Sequence, residues 1–295
     1  MKIVFYSRPD LSYKTSEVRK LYDAIITSGF EYFFSSGFAR IVQEAFGVDV
    51  PKGLIFNDHG DFPEGADMLI CYGGDGTFLD GVRILDSHRV PILGINSGRL
   101  GFLADIPEAY ENKIFEDIIN GLFDTEERML LEVSGEFDEG VDYPYAFNEF
   151  SVQKSGMEMI SVEVFINGEF ITTYVGDGVI LSTPSGSTAY SLSVGGPIIA
   201  PNSKCFVISP IAPHNLTMRP VVIPDDSTME FRVLSRSGKA VVTMDNRDYE
   251  VKNGSSFTLN KAQKTVFLVK FENNSFYRTL RKKMMWGVDT RKFTK

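Results

Sequence analysis

Apolar and polar positions follow two rhythms along the chain, and the change falls near Glu127. Before it, short apolar runs alternate with segments whose apolar positions recur every three or four residues. Residues 2–7 and 67–72 read as strands, as does the run Val90-Pro91-Ile92-Leu93-Gly94-Ile95-Asn96. Val18, Leu21, Tyr22, Ile25 and Ile26 share one helical face, and Phe38, Ile41, Val42, Ala45 and Phe46 share another. Further helices are predicted over residues 78–85 and 108–122. Residues 51–65 are rich in Gly, Pro, Asp and Asn and read as a connecting loop, with His59 on its surface. Strands alternating with helices in this way predict a Rossmann-like α/β domain with a parallel sheet. Such sheets bind ligands at the carboxyl ends of their strands.

After Glu127 the pattern shortens to strand-length runs at residues 128–137, 145–152, 159–166, 170–175, 179–182, 206–210, 229–234, 240–244 and 265–271. Asn167-Gly168 between two of them is a two-residue hairpin signal, and residues 252–255 read as another turn. This half is predicted to be β-rich, with antiparallel sheets arranged as in a sandwich. A helix returns at 275–286, with Phe276, Leu280 and Met284 on one side and Arg278, Arg281, Lys282 and Lys283 crowded into it. Those cations suit either a solvated face at a helix C-terminus or a phosphate site.

Composition narrows the partners. A formal net charge of -9 argues against nucleic acid, whose binding draws on Lys and Arg against phosphates. No apolar run approaches the ~20 residues of a membrane span, and the first residues do not read as a signal peptide. Cys71 and Cys205 each lie in an apolar run and read as buried free thiols, which with the missing leader predicts a cytoplasmic protein. The chain's three histidines and these distant cysteines give no zinc-type spacing.

The candidate chemistry sits at two glycine-bearing junctions. Gly73-Gly74-Asp75-Gly76-Thr77 follows the strand 67–72. Adjacent glycines let backbone N–H groups approach a phosphate, Asp75 would be displayed to the ligand, and Thr77 is predicted to cap a helix beginning at Phe78. The same string suits an ordinary strand-to-helix turn. A second glycine turn, Ser97-Gly98-Arg99-Leu100-Gly101-Phe102, follows the strand 90–96. In the β-rich half, Gly176-Asp177-Gly178 repeats the aspartate between glycines, and the hydroxyl-dense Pro184-Ser185-Gly186-Ser187-Thr188-Ala189-Tyr190-Ser191-Leu192-Ser193 follows. A helix is expected from about Ser187. The segment suits nucleobase recognition or a Ser/Gly loop. Asn148-Glu149 offers donors and acceptors for ribose hydroxyls, although a dipeptide alone is a weak signal. A serine hydrolase is disfavoured because Gly-x-Ser-x-Gly is absent at Ser187, and no Gly-x-Gly-x-x-Gly follows the first strand.

Taken together and in order, these strings resemble the NAD kinase family. The resemblance rests on 73–77, Gly94-Ile95-Asn96-Ser97-Gly98-Arg99-Leu100-Gly101-Phe102-Leu103, Asn148-Glu149, the run 176–190, Gly195-Gly196-Pro197, 210–216 and Arg219-Pro220. It spans about residues 67–245, and the closing 280–286 helix is similar as well. Gly-Gly-Asp-Gly alone is shared with lipid and sugar kinases, whereas the 176–190 string is far more specific. The resemblance implies ATP-dependent phosphorylation of the adenosine ribose 2′-hydroxyl of NAD, giving NADP, with Mg²⁺ or a similar cation. It implies Asp75 as proton acceptor and Gly73, Gly74, Gly76 and Thr77 as the phosphate-binding turn. NAD contacts are implied for Asp75, Gly76, Phe102, Asn148, Glu149, Asp177, Thr188, Ala189, Tyr190, Ser193 and Ala212, the last near a subunit interface of a homodimer or homotetramer. No protein metal ligand is implied. Arg99 and Arg219 are candidate charge partners or structural ion pairs. Asp245-Asn246-Arg247 departs from the family's Asp-Gly-Gln, which leaves open whether Asp245 and Arg247 reach ligand. Domains are expected at 1–126, with 275–295 packing back on it, and at 127–274. A lipid or sugar kinase and a non-catalytic dinucleotide sensor are the alternatives.

Overall fold

The computed structural model describes residues 1–11, 13–98, 101–104, 106–107, 111–272 and 274–285. Its elements in chain order are β1 (Lys2–Tyr6), α1 (Thr15–Thr27), β2 (Glu31–Ser35), α2 (Ser36–Phe46), β3 (Ile55–Phe56), β4 (Met68–Gly73), α3 (Asp75–Leu85), β5 (Ile92–Asn96), β6 (Ile106–Pro107) and α4 (Glu111–Ile119). There follow β7 (Asp124–Gly135), β8 (Tyr145–Ala146), β9 (Glu149–Lys154), β10 (Ile160–Ile166), β11 (Glu169–Gly176) and β12 (Gly178–Ser182). The chain then runs through α5 (Tyr190–Ser193), β13 (Cys205–Ile211), β14 (Val221–Pro224), β15 (Met229–Ser235), β16 (Lys239–Met244), β17 (Arg247–Lys252), β18 (Ser256–Lys270) and α6 (Phe276–Met284). They divide into one unit of Met1–Glu126 with the chain from Phe267 on, and a second of Glu127–Val266. The return occurs at Phe267 rather than at 275, because β18 is one long strand whose Leu268 pairs with Ile92 of β5.

In the first unit β5, β4, β1, β2 and β3 lie side by side, all parallel. Strands covered on both faces read as continuous apolar runs. Accordingly all of β4 is buried, as are Ile3, Val4 and Phe5 of β1. Helix α1 buries Val18, Leu21 and Ile25, and α2 buries Phe38, Ile41 and Val42. Most of the two predicted helical faces thus lies in the core beside Phe5 and Phe34, with Tyr22 and Phe46 partly buried against it, whereas Ile26 is exposed, past the edge of the buried stripe of α1. Ser35 caps α2, its Oγ accepting the Phe38 N–H at 3.1 Å, and Gly47 ends it at a φ of 66°. Residues 51–65 are not all loop: Ile55 and Phe56 form the sheet's edge strand beside β2.

The second unit holds two antiparallel sheets. One has the order β14-β13-β12-β9-β16-β17, and the other places β11, β10, β15 and β18 in sequence, with β7 against β18 and β8. Phe150, Val152, Val179, Leu181, Phe206 and Val242 of the first sheet meet Val162, Val164, Phe231, Val233 and Phe257 of the second in one core. The period-two alternation of β10 and β15 buries one face only, as predicted for antiparallel strands. Asn167 and Gly168 adopt φ of 52° and 81° at the tip of the β10–β11 hairpin, as an Asn-Gly turn requires.

Candidate functional site

Two turns meet at the carboxyl end of the parallel sheet. β4 ends at Gly73, which is in register with Asn96 at the end of β5. Helix α3 begins at Asp75, with Gly74 in the N-cap position. The expectation that Thr77 caps a helix from Phe78 is therefore corrected: Thr77 lies buried within the first turn, and a Cβ on Gly73 would stand 2.3 Å from its Oγ1. Gly73 is thus needed for the packing of Thr77 as much as for any ligand.

The second glycine turn folds onto Asp75. Asn96 Nδ2 donates to the Ala104 carbonyl at 3.1 Å, and the Gly98 N–H donates to Asn96 Oδ1 at 2.6 Å. So held, the loop directs three consecutive N–H groups at one carboxylate. Phe102 donates to Asp75 Oδ2 at 2.8 Å, and Leu103 and Ala104 donate to Oδ1 at 2.9 and 3.0 Å. Two glycines of the 94–103 string have plain reasons. A Cβ on Gly94 would lie 2.8 Å from Ala104 Cα, and one on Gly101 would lie 1.8 Å from Asp75 Oδ1.

A carboxylate has about four lone-pair sites. Three are engaged by the described residues, two on Oδ1 and one on Oδ2.

Two cations at this turn escaped the sequence reading. Arg8, two residues beyond β1, donates from Nη2 to the Gly76 carbonyl at 3.2 Å and from Nε to Asp80. Lys283 of α6 stands over the Phe102 ring, 4.6 Å from its centroid. That cation is not simply part of a solvated basic face. Arg99, Leu100 and Trp286 lie outside the described residues.

In the second unit, Gly176 and Gly178 flank Asp177 because neighbouring backbone passes close. A Cβ on Gly176 would be 2.7 Å from the Ala212 carbonyl, and one on Gly178 would be 2.2 Å from that of Val152. Asp177 pairs with Lys154 Nζ at 2.6 Å. Ala212, at a φ of 40°, follows directly on Ile211, whose carbonyl accepts the Asp177 N–H.

The hydroxyl-dense segment forms a 3-10 turn over Ser185–Thr188 and then the single helical turn α5, not one helix from Ser187. Most of its hydroxyls brace it. Thr183 Oγ1 donates to the Phe147 carbonyl at 2.7 Å, Ser187 Oγ to that of Pro184 at 2.7 Å, and Ser191 Oγ meets Ser209 Oγ at 3.2 Å. Thr188, Ala189 and Tyr190 are half-buried and Ser193 is exposed, so these remain accessible to a ligand. Arg219 donates to the carbonyls of Leu216 and Met218.

The same segment meets Asn148-Glu149. The Thr183 N–H donates to the Asn148 carbonyl, and a Cβ on Gly186 would come within 2.0 Å of that oxygen. The Tyr190 N–H bonds the Glu149 carboxyl, whose buried Oε2 has no partner among the described residues. Burial, and then the nearby Asp245 carboxylate, push the Glu149 carboxyl up to about 8. Glu149 therefore holds a proton near neutrality and can donate as well as accept.

This has a consequence for stability. The folded protein binds the proton more tightly than the unfolded chain, so this contribution is whole below about 4.5 and is lost as pH rises through about 8. Denaturant titration at pH 5.5 and 8.5 is expected to show the wild type losing several kcal/mol more than Glu149→Gln over that interval. Parallel losses in the two proteins would contradict the assignment.

Among the described residues no group of three or more His, Cys, Asp or Glu side chains could hold a metal ion, and no helix is long and apolar enough to cross a membrane.

Comparison with known proteins finds two family domains in the chain. Residues 57–123 match the ATP-NAD kinase N-terminal domain and residues 148–271 the ATP-NAD kinase C-terminal domain. The chain is 41% identical over 293 residues to an NAD kinase of Bacteroides fragilis, covering 99% of this chain and 100% of that one. It is 40% identical over 279 residues to an NAD kinase of Flavobacterium johnsoniae, covering 91% and 95%. Among solved structures, yeast NADH kinase complexed with NADH superposes with a TM-score of 0.86 at 21% identity, covering 98% of this chain and 88% of that one. An NAD kinase from Archaeoglobus fulgidus in complex with ATP superposes with a TM-score of 0.72 at 25% identity, covering 97% and 99%.

Proposed function

The chain belongs to the ATP-NAD kinase family, and we propose that Asp75 accepts the proton of the adenosine ribose 2′-hydroxyl as that oxygen takes phosphate. The reaction is the ATP-dependent phosphorylation of NAD. The observation that supports the role of Asp75 is its carboxylate, held by three backbone donors at the carboxyl end of β4. Both matched domains belong to this family, which removes the lipid or sugar kinase reading.

A carboxylate is a far weaker base than a sugar alkoxide, so the nucleophile is not ionised in advance. A loose phosphoryl-transfer transition state does not require it; the carboxylate aligns the hydroxyl and takes its proton late. The backbone N–H groups of Gly74, Gly76 and Thr77, with the α3 N-terminus, face charge developing on the phosphates. Asn148, Glu149, Asp177, Thr188, Ala189, Tyr190, Ser193 and Ala212 contact the dinucleotide, and Phe102 lines its nucleoside pocket.

Among the described residues, no group of three or more His, Cys, Asp or Glu side chains builds a resident Mg²⁺ site. Asp75 is engaged by backbone and Asp80 by Arg8. A divalent cation on this reading arrives bound to the triphosphate. On this reading the protein is a cytoplasmic homodimer or homotetramer, with the exposed Ala212 near a subunit contact.

The position of the transferred phosphate tests it. With ATP, Mg²⁺ and NAD, all product is expected to be reduced by a dehydrogenase specific for 2′-phosphorylated NADP. A product phosphorylated at the 3′-oxygen would contradict the alignment of the 2′-hydroxyl with Asp75.

A further inference from the structure

Phe147 and Asn148 lie in the bend between β8 and β9, outside both strands. Asp245, in the turn between β16 and β17, accepts their N–H groups. Its Oδ2 accepts the Phe147 N–H at 2.8 Å, and its Oδ1 accepts those of Asn148 and Glu149 at 2.7 and 3.2 Å. Its own N–H returns to the Glu149 carbonyl at 3.0 Å. Asp245 holds a φ of 54°, a left-handed conformation unfavourable for a residue with a side chain. Glycine would relieve that strain, but it would leave the three N–H groups without an acceptor.

Arg247 completes the arrangement two residues later. Its guanidinium donates to the carbonyls of Tyr143 and Tyr145 and lies over the Tyr143 ring. The turn thus grips the segment 143–149 through its carbonyls on one side and its N–H groups on the other.

We propose that Asp245 is a positioning residue for the dinucleotide, its carboxylate fixing the bend that presents Asn148 and Glu149, with Arg247 fixing the strand that leads into it. The proposal rests on the reading of Asn148 and Glu149 as NAD contacts. Asp245 and Arg247 themselves serve through the backbone and need not touch ligand. The charge acts as well as the geometry. Burial raises both Asp245 and Glu149, but Asp245 has three N–H donors and Arg247 to favour its ionised form, while Glu149 has the Tyr190 N–H alone. Of the two, Asp245 is the better served in its ionised form, and its carboxylate adds to the rise at Glu149. The Tyr190 phenol, raised by burial and then by Asp177 and Glu149, is a further titratable group near Glu149.

Steady-state kinetics of full-length variants test this. In Asp245→Asn the amide NH₂ faces backbone donors, so at least one bond is lost. The KM for NAD is expected to rise about tenfold or more, while kcat stays within about threefold and the KM for ATP within about twofold. Removal of the Asp245 charge also moves the Glu149 limb of the pH profile of kcat/KM for NAD to lower pH, which a merely structural residue would not do. Should Asp245→Asn fail to fold, Arg247→Met carries the test, with a rise of about threefold in the KM for NAD alone.

An unchanged KM for NAD in a folded variant overturns the proposal. So does a fall in kcat and in both substrate affinities that simply tracks the melting temperature. Asn148→Ala and Glu149→Gln separate the premises. If neither alters the KM for NAD, the contact reading fails and the proposal with it. If both raise it while the Asp245 and Arg247 variants do not, the positioning role alone fails.

Discussion

Asp75→Asn is expected to lower kcat by about 10³-fold while leaving NAD affinity within about tenfold. Asparagine cannot take up the hydroxyl proton, so the developing charge on the nucleophile is left without an acceptor. The amide carries a further penalty specific to this turn. Its oxygen can accept from Leu103 and Ala104, but its NH₂ then faces the Phe102 N–H, and one of the three bonds becomes a repulsion. The residues assigned to hold the dinucleotide in the second unit are unaltered, which is why binding is expected to survive. Initial rates with ATP varied at saturating NAD, beside calorimetric titration of NAD, resolve the two quantities. Turnover near the wild-type rate would exclude proton acceptance by Asp75.

Gly101→Ala is the second large effect, and it involves no chemical group at all. The added methyl would lie 1.8 Å from Asp75 Oδ1, 2.3 Å from its carboxyl carbon and 2.7 Å from Oδ2. No real contact is that short, so either the carboxylate rotates away or the 101–104 loop lifts and withdraws its N–H donors. Misplacing a reacting group by about 1 Å costs about 10²-fold, and kcat is expected to fall by about that factor in a folded protein. Gly53→Ala is the control, since its Cβ meets nothing within 4 Å. Equal activity of the two variants would mean that the loop does not set the position of Asp75.

The strands that could be read from the chain are those buried on both faces or alternating strongly. β1, β4 and β5 are apolar runs because the parallel sheet is covered on each side. β2 was missed because Glu31-Tyr32-Phe33-Phe34-Ser35 runs straight into the Ser35 cap of α2 and lacks the flanking turn that sets off a strand. β14 and β17 were missed because they are sheet edges, one brief and ending at Pro224, the other largely polar. Only the last part of β18 was anticipated, its first half carrying alternate polar residues that one-faced burial permits.

The glycine strings of the site were legible, but the reason for several glycines was not. Gly101 is small because of Asp75, and Gly186 because of the Asn148 carbonyl. Neither relation can be read at sequence separations of that size. The same limit hid Arg8 and Lys154, and it hid the partners of Lys283 and Asp245, which are brought near only by folding. Asp177 stands out in the sequence as an aspartate between glycines, and its pairing with Lys154 sets a cation beside it that no motif announced.

Single-turnover rapid quench tests the central claim, separating the transfer step from substrate binding and product release. Wild-type and Asp75→Asn proteins, each saturated with NAD, are mixed with radiolabelled ATP and Mg²⁺, and labelled NADP is followed in time. The account predicts that the transfer step itself slows by about 10³-fold in the variant. A transfer step of wild-type speed, with any loss confined to binding or release, would contradict it.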